Sequence, residues 1–239
     1  MDSPKSTARL AGFLYVVMSA LMIFSYMYVP SRFLSDDAAT MARNIADGAS
    51  LYRLTILISL VSQVLFVVVA LTLYRLFRDV DRVLARLMVG LVGVAIAAEL
   101  VTIANRMTPL ILLSGESYLQ AFTKPQLDAL VMGSVLWGNN LGRLLTIFWG
   151  LWLFPFGILT IKSGYFPKVL GYLLFASGVG YVVTCVTIIA FPEHIQTVSR
   201  VMSPLYFGEL GMVLWLPIMG AREPVESAEE EAEPHPVVT

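Results

Sequence analysis

Long apolar runs, cut at intervals by small clusters of charge, set the pattern of this chain. Leu10 to Val29 is a run of 20 residues with no charge, closed by Pro30. About 20 mostly apolar residues suffice for a helix to cross a ~30 Å hydrocarbon core. A signal peptide is the competing reading, because Lys5 and Arg9 precede the run. The run is longer than a typical apolar signal core of about 7–15 residues, and no clear small-residue cleavage site follows it. It is therefore read as a retained span. Thr55 to Tyr74 is a second run, closed by Arg75 and Arg78.

The third run, Leu87 to Leu113, is interrupted by Glu99 and Arg106. It exceeds the membrane thickness, so it is expected to tilt or to bend near Pro109, which has no backbone N–H to donate. The fourth, Leu127 to Ile161, is broken only by Asp128 and Arg143. A single straight helix of that length would measure about 52 Å. A break is predicted at Gly138-Asn139-Asn140-Leu141-Gly142, a stretch of poor helix formers. That makes Pro125 to Trp137 an interfacial or re-entrant piece and Leu144 to Ile161 the span. Val169 to Phe191 and Leu205 to Met219 complete the set.

The fold class that follows is an all-α integral membrane protein. It is a bundle of six transmembrane helices, with seven as the alternative, plus short surface or re-entrant helices. One transmembrane domain fills 1–222, with spans at about 10–29, 55–74, 87–113, 144–161, 169–191 and 205–219. Lys162-Ser163-Gly164 reads as a helix end with glycine beyond it, and Pro167 suits the start of the next helix. In the first long loop, Ser35, Asp36 or Asp37 would cap a short helix carrying Met41 and Ile45 and ended by Gly48. Ala176, Gly180 and Thr184, like Gly93 and Ala97, have the spacing of close-packing seams. Pro155 predicts a kink. Ser59, Ser62 and Gln63 read as hydrogen-bonding to a neighbouring helix, and Tyr26, Tyr28, Trp137, Trp149 and Tyr206 as an interfacial belt.

Composition agrees: 57% hydrophobic, 14% charged, mean hydropathy +0.76. Soluble domains average about 45–50% apolar and about 25% charged. The net charge of -1 conceals an asymmetry. All 16 Lys and Arg lie at or before Arg222, while Glu223, Glu226, Glu229, Glu230, Glu231 and Glu233 crowd the end. A basic body is cancelled by an acidic tail, 223–239, whose composition predicts disorder. Arg75, Arg78, Arg82 and Arg86 concentrate in one short loop, and such loops dominate the positive-inside effect. Both termini are therefore expected to be cytoplasmic in a bacterial inner membrane, with the lipid bilayer as the standing partner.

The same composition limits the chemistry. Cys185 is the one cysteine, and His194 and His235 are the only histidines. No disulfide or cysteine cage can form within one chain. No zinc-protease, nucleophile-elbow, phosphate-loop or dinucleotide motif occurs. No cofactor, no metal and no nucleic acid is expected. What remains is polarity at membrane depth. Glu99 sits among Ala97, Ala98 and Leu100, and Glu209 within Phe207-Gly208-Glu209-Leu210-Gly211. Arg106 lies two turns beyond Glu99 on roughly the same face. Arg143, Asn105, Asn139 and Asn140 are expected near the same membrane side. An intramembrane carboxylate is costly unless paired or turned inward. These residues read either as a polar chamber, with Glu99 and Glu209 as floor and Arg106 and Arg143 at the rim, or as interhelical pairs that fix the bundle.

Several short stretches carry a family likeness. They are Ala8-Arg9-Leu10-Ala11-Gly12-Phe13-Leu14-Tyr15, Asp37-Ala38-Ala39-Thr40 with Asn44-Ile45, and Leu51-Tyr52-Arg53-Leu54. Leu71-Thr72-Leu73-Tyr74-Arg75-Leu76-Phe77 follows, then Lys162-Ser163-Gly164-Tyr165-Phe166-Pro167-Lys168-Val169-Leu170-Gly171. Gly208-Glu209-Leu210 and Leu214-Trp215-Leu216 before Gly220 close the series. In order and spacing the chain resembles, over about residues 8–220, a prokaryotic family of multi-pass membrane proteins, domain of unknown function 4386. The resemblance implies a six- or seven-span domain and carries no established activity. One departure is Trp152, where members often carry histidine.

The leading functional reading is a non-enzymatic protein that binds or moves a small solute, ion or lipid through an intramembrane polar site. The alternative is a structural or regulatory subunit that recruits a protein partner through its cytoplasmic loop or acidic tail. A third reading is an intramembrane enzyme acting on a lipid.

Overall fold

A computed structural model of the chain describes residues 3–222; the acidic tail lies outside the described residues. Helix α1, Pro4–Ile23, starts at Ser3, whose hydroxyl accepts from the Ser6 N–H. It runs into a π-helical segment, Phe24–Tyr28, and a 3₁₀ turn, Pro30–Arg32. The surface helix α2, Ala38–Asp47, is capped by Asp37 and ends at Gly48, with Met41 and Ile45 buried as expected. The Asp37 carboxyl is held below the usual carboxylate range by the Thr40 hydroxyl and N–H that it accepts from.

Then come α3, Ala49–Phe77; α4, Arg82–Asn105; a short α5, Met107–Leu112; and α6, Lys124–Leu151. After these stand α7, Leu153–Ser163; α8, Lys168–Ala190; and α9, Ile195–Ile218. With α4–α5 and α6–α7 each counted as one rod, six helices are long and apolar enough to cross a membrane.

The outward faces identify the solvent. Phe13, Val64, Phe207 and Ile218 are each more than 60% exposed. A soluble protein does not leave such a belt open to water, whereas hydrocarbon accepts it. The chain is a multi-pass membrane protein. Its core is aromatic and central: Tyr15, Phe66, Phe77, Trp152 and Phe156 are all buried, and Trp152 packs against Phe66 at 5.4 Å and Phe156 at 5.3 Å.

One end of the bundle gathers both described chain ends. The Arg222 N–H donates to the Tyr165 carbonyl at 3.0 Å, and Arg9 Nη2 to the Ile218 carbonyl at 3.3 Å. Lys162 Nζ pairs with Asp81 at 2.9 Å, tying the α3–α4 turn to the α7–α8 turn. The Leu84 N–H and Lys162 hold the Asp81 carboxyl below its usual range. At the α7–α8 turn, Gly164 takes φ +68°, the left-handed conformation that glycine adopts without strain. At the opposite end α2, α5 and the start of α6 close over a second cluster, with Val29, Phe33, Met41, Ile45 and Val131 inside.

Two expectations are corrected. Helix α6 runs unbroken through Gly138–Gly142, so Pro125 to Trp137 is the first half of one 28-residue helix rather than a separate re-entrant piece. Glycine costs only about 1 kcal/mol in a helix, and Gly138 is used for close approach: the Asn105 amide crosses it and donates to the Ser134 carbonyl at 2.8 Å. The interruption comes at Trp152, three residues before Pro155, which cannot donate to the Leu151 carbonyl. The α4–α5 joint at Arg106 has the same relation to Pro109.

One glycine seam lies where none was predicted. Gly150 meets Gly178, and Gly157 meets Gly171, so that a Cβ on either member would stand 2.8–3.0 Å from its partner's carbonyl oxygen. Gly180 does mark a seam, since a Cβ there would stand 3.2–3.3 Å from Tyr206 and Leu205 of α9, and Thr184 hydrogen-bonds the Tyr206 hydroxyl at 2.6 Å, whereas Gly93 has nothing nearby.

Candidate functional site around Glu99

Three broken or polar stretches meet toward the end of the bundle that lies opposite the termini. The first is the π-helical segment of α1. There the Val29 N–H donates to the Phe24 carbonyl at 3.0 Å and is lost to the Ser25 carbonyl. The π-register partner of Ser25 would be Pro30, which has no N–H. The Ser25 carbonyl is thus freed in both registers, and it accepts from Arg106 Nη1 at 3.2 Å. Such π-segments recur at functional sites.

The second stretch is the α4–α5 joint, where Arg106 itself sits. Its Nη1 also donates to Ser59 Oγ at 3.2 Å, and its guanidinium carbon lies 4.2 Å from the Tyr26 ring centre. A guanidinium over a tyrosine face is attracted by the ring quadrupole. The third stretch is the polar face of α3: Ser59, Ser62 and Gln63 are buried. Ser59 and Ser62 donate to carbonyls of their own helix, those of Thr55 and Ile58, and Ser59, by accepting from Arg106, also makes the expected bond to a neighbouring helix.

Glu99 lies between these stretches, 3% exposed. At 1.5 Å per residue it is about 25 Å along α4 from Arg82. Its Oε1 has no hydrogen-bond partner among the described residues. The same holds for Ser25 Oγ, Tyr26 Oη, Gln63 Nε2 and Thr102 Oγ1. The Tyr26 hydroxyl is within interaction range of Glu99 and of Ser59. Native structures partner nearly all buried polar atoms, so a group of unpartnered ones needs a reason. Arg106 shares the neighbourhood of Glu99 but forms no ion pair with it among the described residues.

The other predicted site residues lie elsewhere. The Glu209 carboxylate on α9 accepts from the Tyr15 hydroxyl on α1. Tyr15 is 11 residues before Tyr26, about 16 Å along the helix, so the two acids occupy separate sites at different depths. Asn139, Asn140 and Arg143 are exposed on α6. Ser25, Tyr26 and Thr102 were not among the residues predicted for this site. The available signal was Pro30, which removes the donor that Ser25 would have used.

Two open clefts lie at the α2–α5–α6 end. One, of about 310 Å³, is lined by Ala39, Ala42, Arg43, Ala46, Leu113 and Lys124, and its neighbour of about 370 Å³ shares Leu113 and Lys124. Neither is lined by Glu99, Arg106 or Glu209. No group of His, Cys, Asp and Glu able to hold a metal occurs among the described residues.

Comparison with known proteins adds a family without an activity. Over 76 residues the chain is 36% identical to an "Uncharacterized protein" of Archaeoglobus fulgidus, a match covering 32% of this chain and 44% of that one. The chain thus spans less than half the length of this curated relative. No solved structure matches. The model of a domain of unknown function, DUF4386, matches residues 10–220, from within α1 to just past α9, and the chain belongs to that family.

Proposed function

We propose that this membrane protein binds a small polar solute or ion at the Glu99 site and exchanges it through the α2-covered end. The observation that carries the reading is the buried, unpartnered Glu99 oxygen, with the unpartnered Tyr26 hydroxyl in its neighbourhood and Thr102 one turn further along α4. A buried carboxyl oxygen without a hydrogen-bond partner is costly. A solute supplying the missing hydrogen bonds offsets that cost, and it has a reason to enter. The two interrupted helices, α1 at its π-segment and α4–α5 at Arg106, fit the rule that irregular backbone at membrane depth belongs where it lines a polar site.

The orientation proposed with this reading has both termini in the cytoplasm. Lys5, Arg9, Arg75, Arg78, Arg82, Arg86, Lys162, Lys168 and Arg222 are all exposed, and all belong to the terminus-bearing end or its turns. The α2-covered end then faces outward.

The single native cysteine makes a direct test simple. In a Cys185→Ala background, Thr102→Cys places a thiol in the site. A charged, membrane-impermeant methanethiosulfonate reagent should modify it in the folded protein. Ser114→Cys, in the turn after α5, serves as the fully reactive control. No modification of Thr102→Cys under conditions that saturate the control would show a sealed bundle and remove the reading.

A further inference from the structure

We infer that the occupant of the Glu99 site is a small organic cation bearing N–H donors, and that Arg106 holds the place this ligand takes. The inference rests on the reading above and names its ligand class.

The guanidinium of Arg106 is itself such a cation, tethered to the chain. Its partners form a cradle made of acceptors: the Ser25 carbonyl at 3.2 Å, Ser59 Oγ at 3.2 Å, and the Tyr26 ring face at 4.2 Å. A carbonyl oxygen, a hydroxyl oxygen and a π-face together select a cation that can donate hydrogen bonds. Glu99 supplies the matching negative charge close by, and its Oε1 is unpartnered although Arg106 is near. The arrangement leaves one cation short of full pairing: Arg106 satisfies the cradle and leaves the acid.

The Tyr26 and Thr102 hydroxyls can accept as well as donate. An anion meets the Glu99 carboxylate and the Ser25 carbonyl and is repelled. A hard metal ion asks for six or more oxygen ligands, and no acidic cluster of that kind exists among the described residues. An ammonium or guanidinium group finds both the charge and the directional acceptors.

Competition gives the inference a distinctive sign. Arg106 sits at the α4–α5 joint, so an arriving cation displaces it by moving a hinge residue. Removing the tethered cation should therefore strengthen binding of a free one.

The experiment is calorimetric titration of the purified full chain in lipid nanodiscs. Methylguanidinium and methylammonium are the probes, with tetramethylammonium, which has no N–H, as the control. The wild-type chain should bind the first two, and tetramethylammonium at least tenfold more weakly. Arg106→Gln should bind methylguanidinium at least tenfold more tightly, and Glu99→Gln at least tenfold more weakly. Weakened or unchanged binding in Arg106→Gln, or equal binding of tetramethylammonium, would overturn the inference. If Arg106→Gln fails to fold, Tyr26→Leu in the wild-type background gives the same decision, since loss of the ring face must weaken probe binding and unchanged affinity refutes the cradle. A reactive Thr102→Cys with no probe binding would leave the solute-site reading standing and sink the cation assignment. An unreactive Thr102→Cys would remove both.

Discussion

A carbonyl with no donor is the smallest unit of this site. Ser25 loses its α-helical partner because Val29 donates one residue further back, and its π-register partner is a proline. Arg106 fills the gap. The sequence shows Pro30 plainly, but not that the α1 end winds into a π-segment; that depends on how α1 packs against α3. Glu99 and Arg106 were legible as charges inside an apolar run. Their non-pairing was not, because spacing on one helix says nothing of a competing acceptor on another.

Glu209 shows the contrasting case of an acid that has its donor. Tyr15→Phe removes the hydroxyl that serves it and leaves the carboxylate without that partner. The expected loss is about 1–3 kcal/mol, read as a lower melting temperature of the purified protein in mild detergent. Glu209→Gln keeps an acceptor and should cost less. Combining the two should cost less than the sum of the single changes, the sign of a shared interaction. Additive losses would show that Tyr15 and Glu209 act independently.

At the scale of elements, glycine and proline divide the work differently from the way local propensity suggests. Gly138 and Gly142 sit inside a continuous helix, while breaks occur at Trp152 and Arg106, each three residues before a proline. Helix count, the α2 cap and the α7–α8 turn were legible because apolar run length, a capping aspartate and a glycine after Lys162-Ser163 act locally. The α6–α8 seam was not, because Gly178 and Gly93 look alike in sequence and differ only in what lies opposite. Gly178 has the Gly150 carbonyl opposite it; Gly93 has nothing. Gly178→Ala should therefore prise α8 from α6 and cost about 1–3 kcal/mol. Gly93→Ala should be neutral or slightly stabilising, since alanine is the better helix former. Thermal unfolding of both variants checks this, and equal effects would show that the reciprocal glycine contact is not what holds the two helices together.

For the whole molecule, charge and polarity run along one axis. Basic side chains cluster at the terminus-bearing end, where Arg9, Lys162 and Arg222 also tie helix ends together. The Glu99 site lies toward the other end, beneath the apolar cap of α2, α5 and α6. If lysine and arginine density orients the bundle, reporters fused after Arg222 and inserted at Asp79 should both be active only in their cytoplasmic form. A reporter inserted at Gly115, in the turn after α5, should be active only in its external form. The Gly115 insertion carries the argument, because it fixes which compartment meets the α2-covered end. An external signal there means that solute reaches Glu99 from outside, past α2. An inverted set would place the same site on the cytoplasmic side, reverse the direction of entry, and show that the arginines of the α3–α4 turn serve the helix ends without orienting the protein.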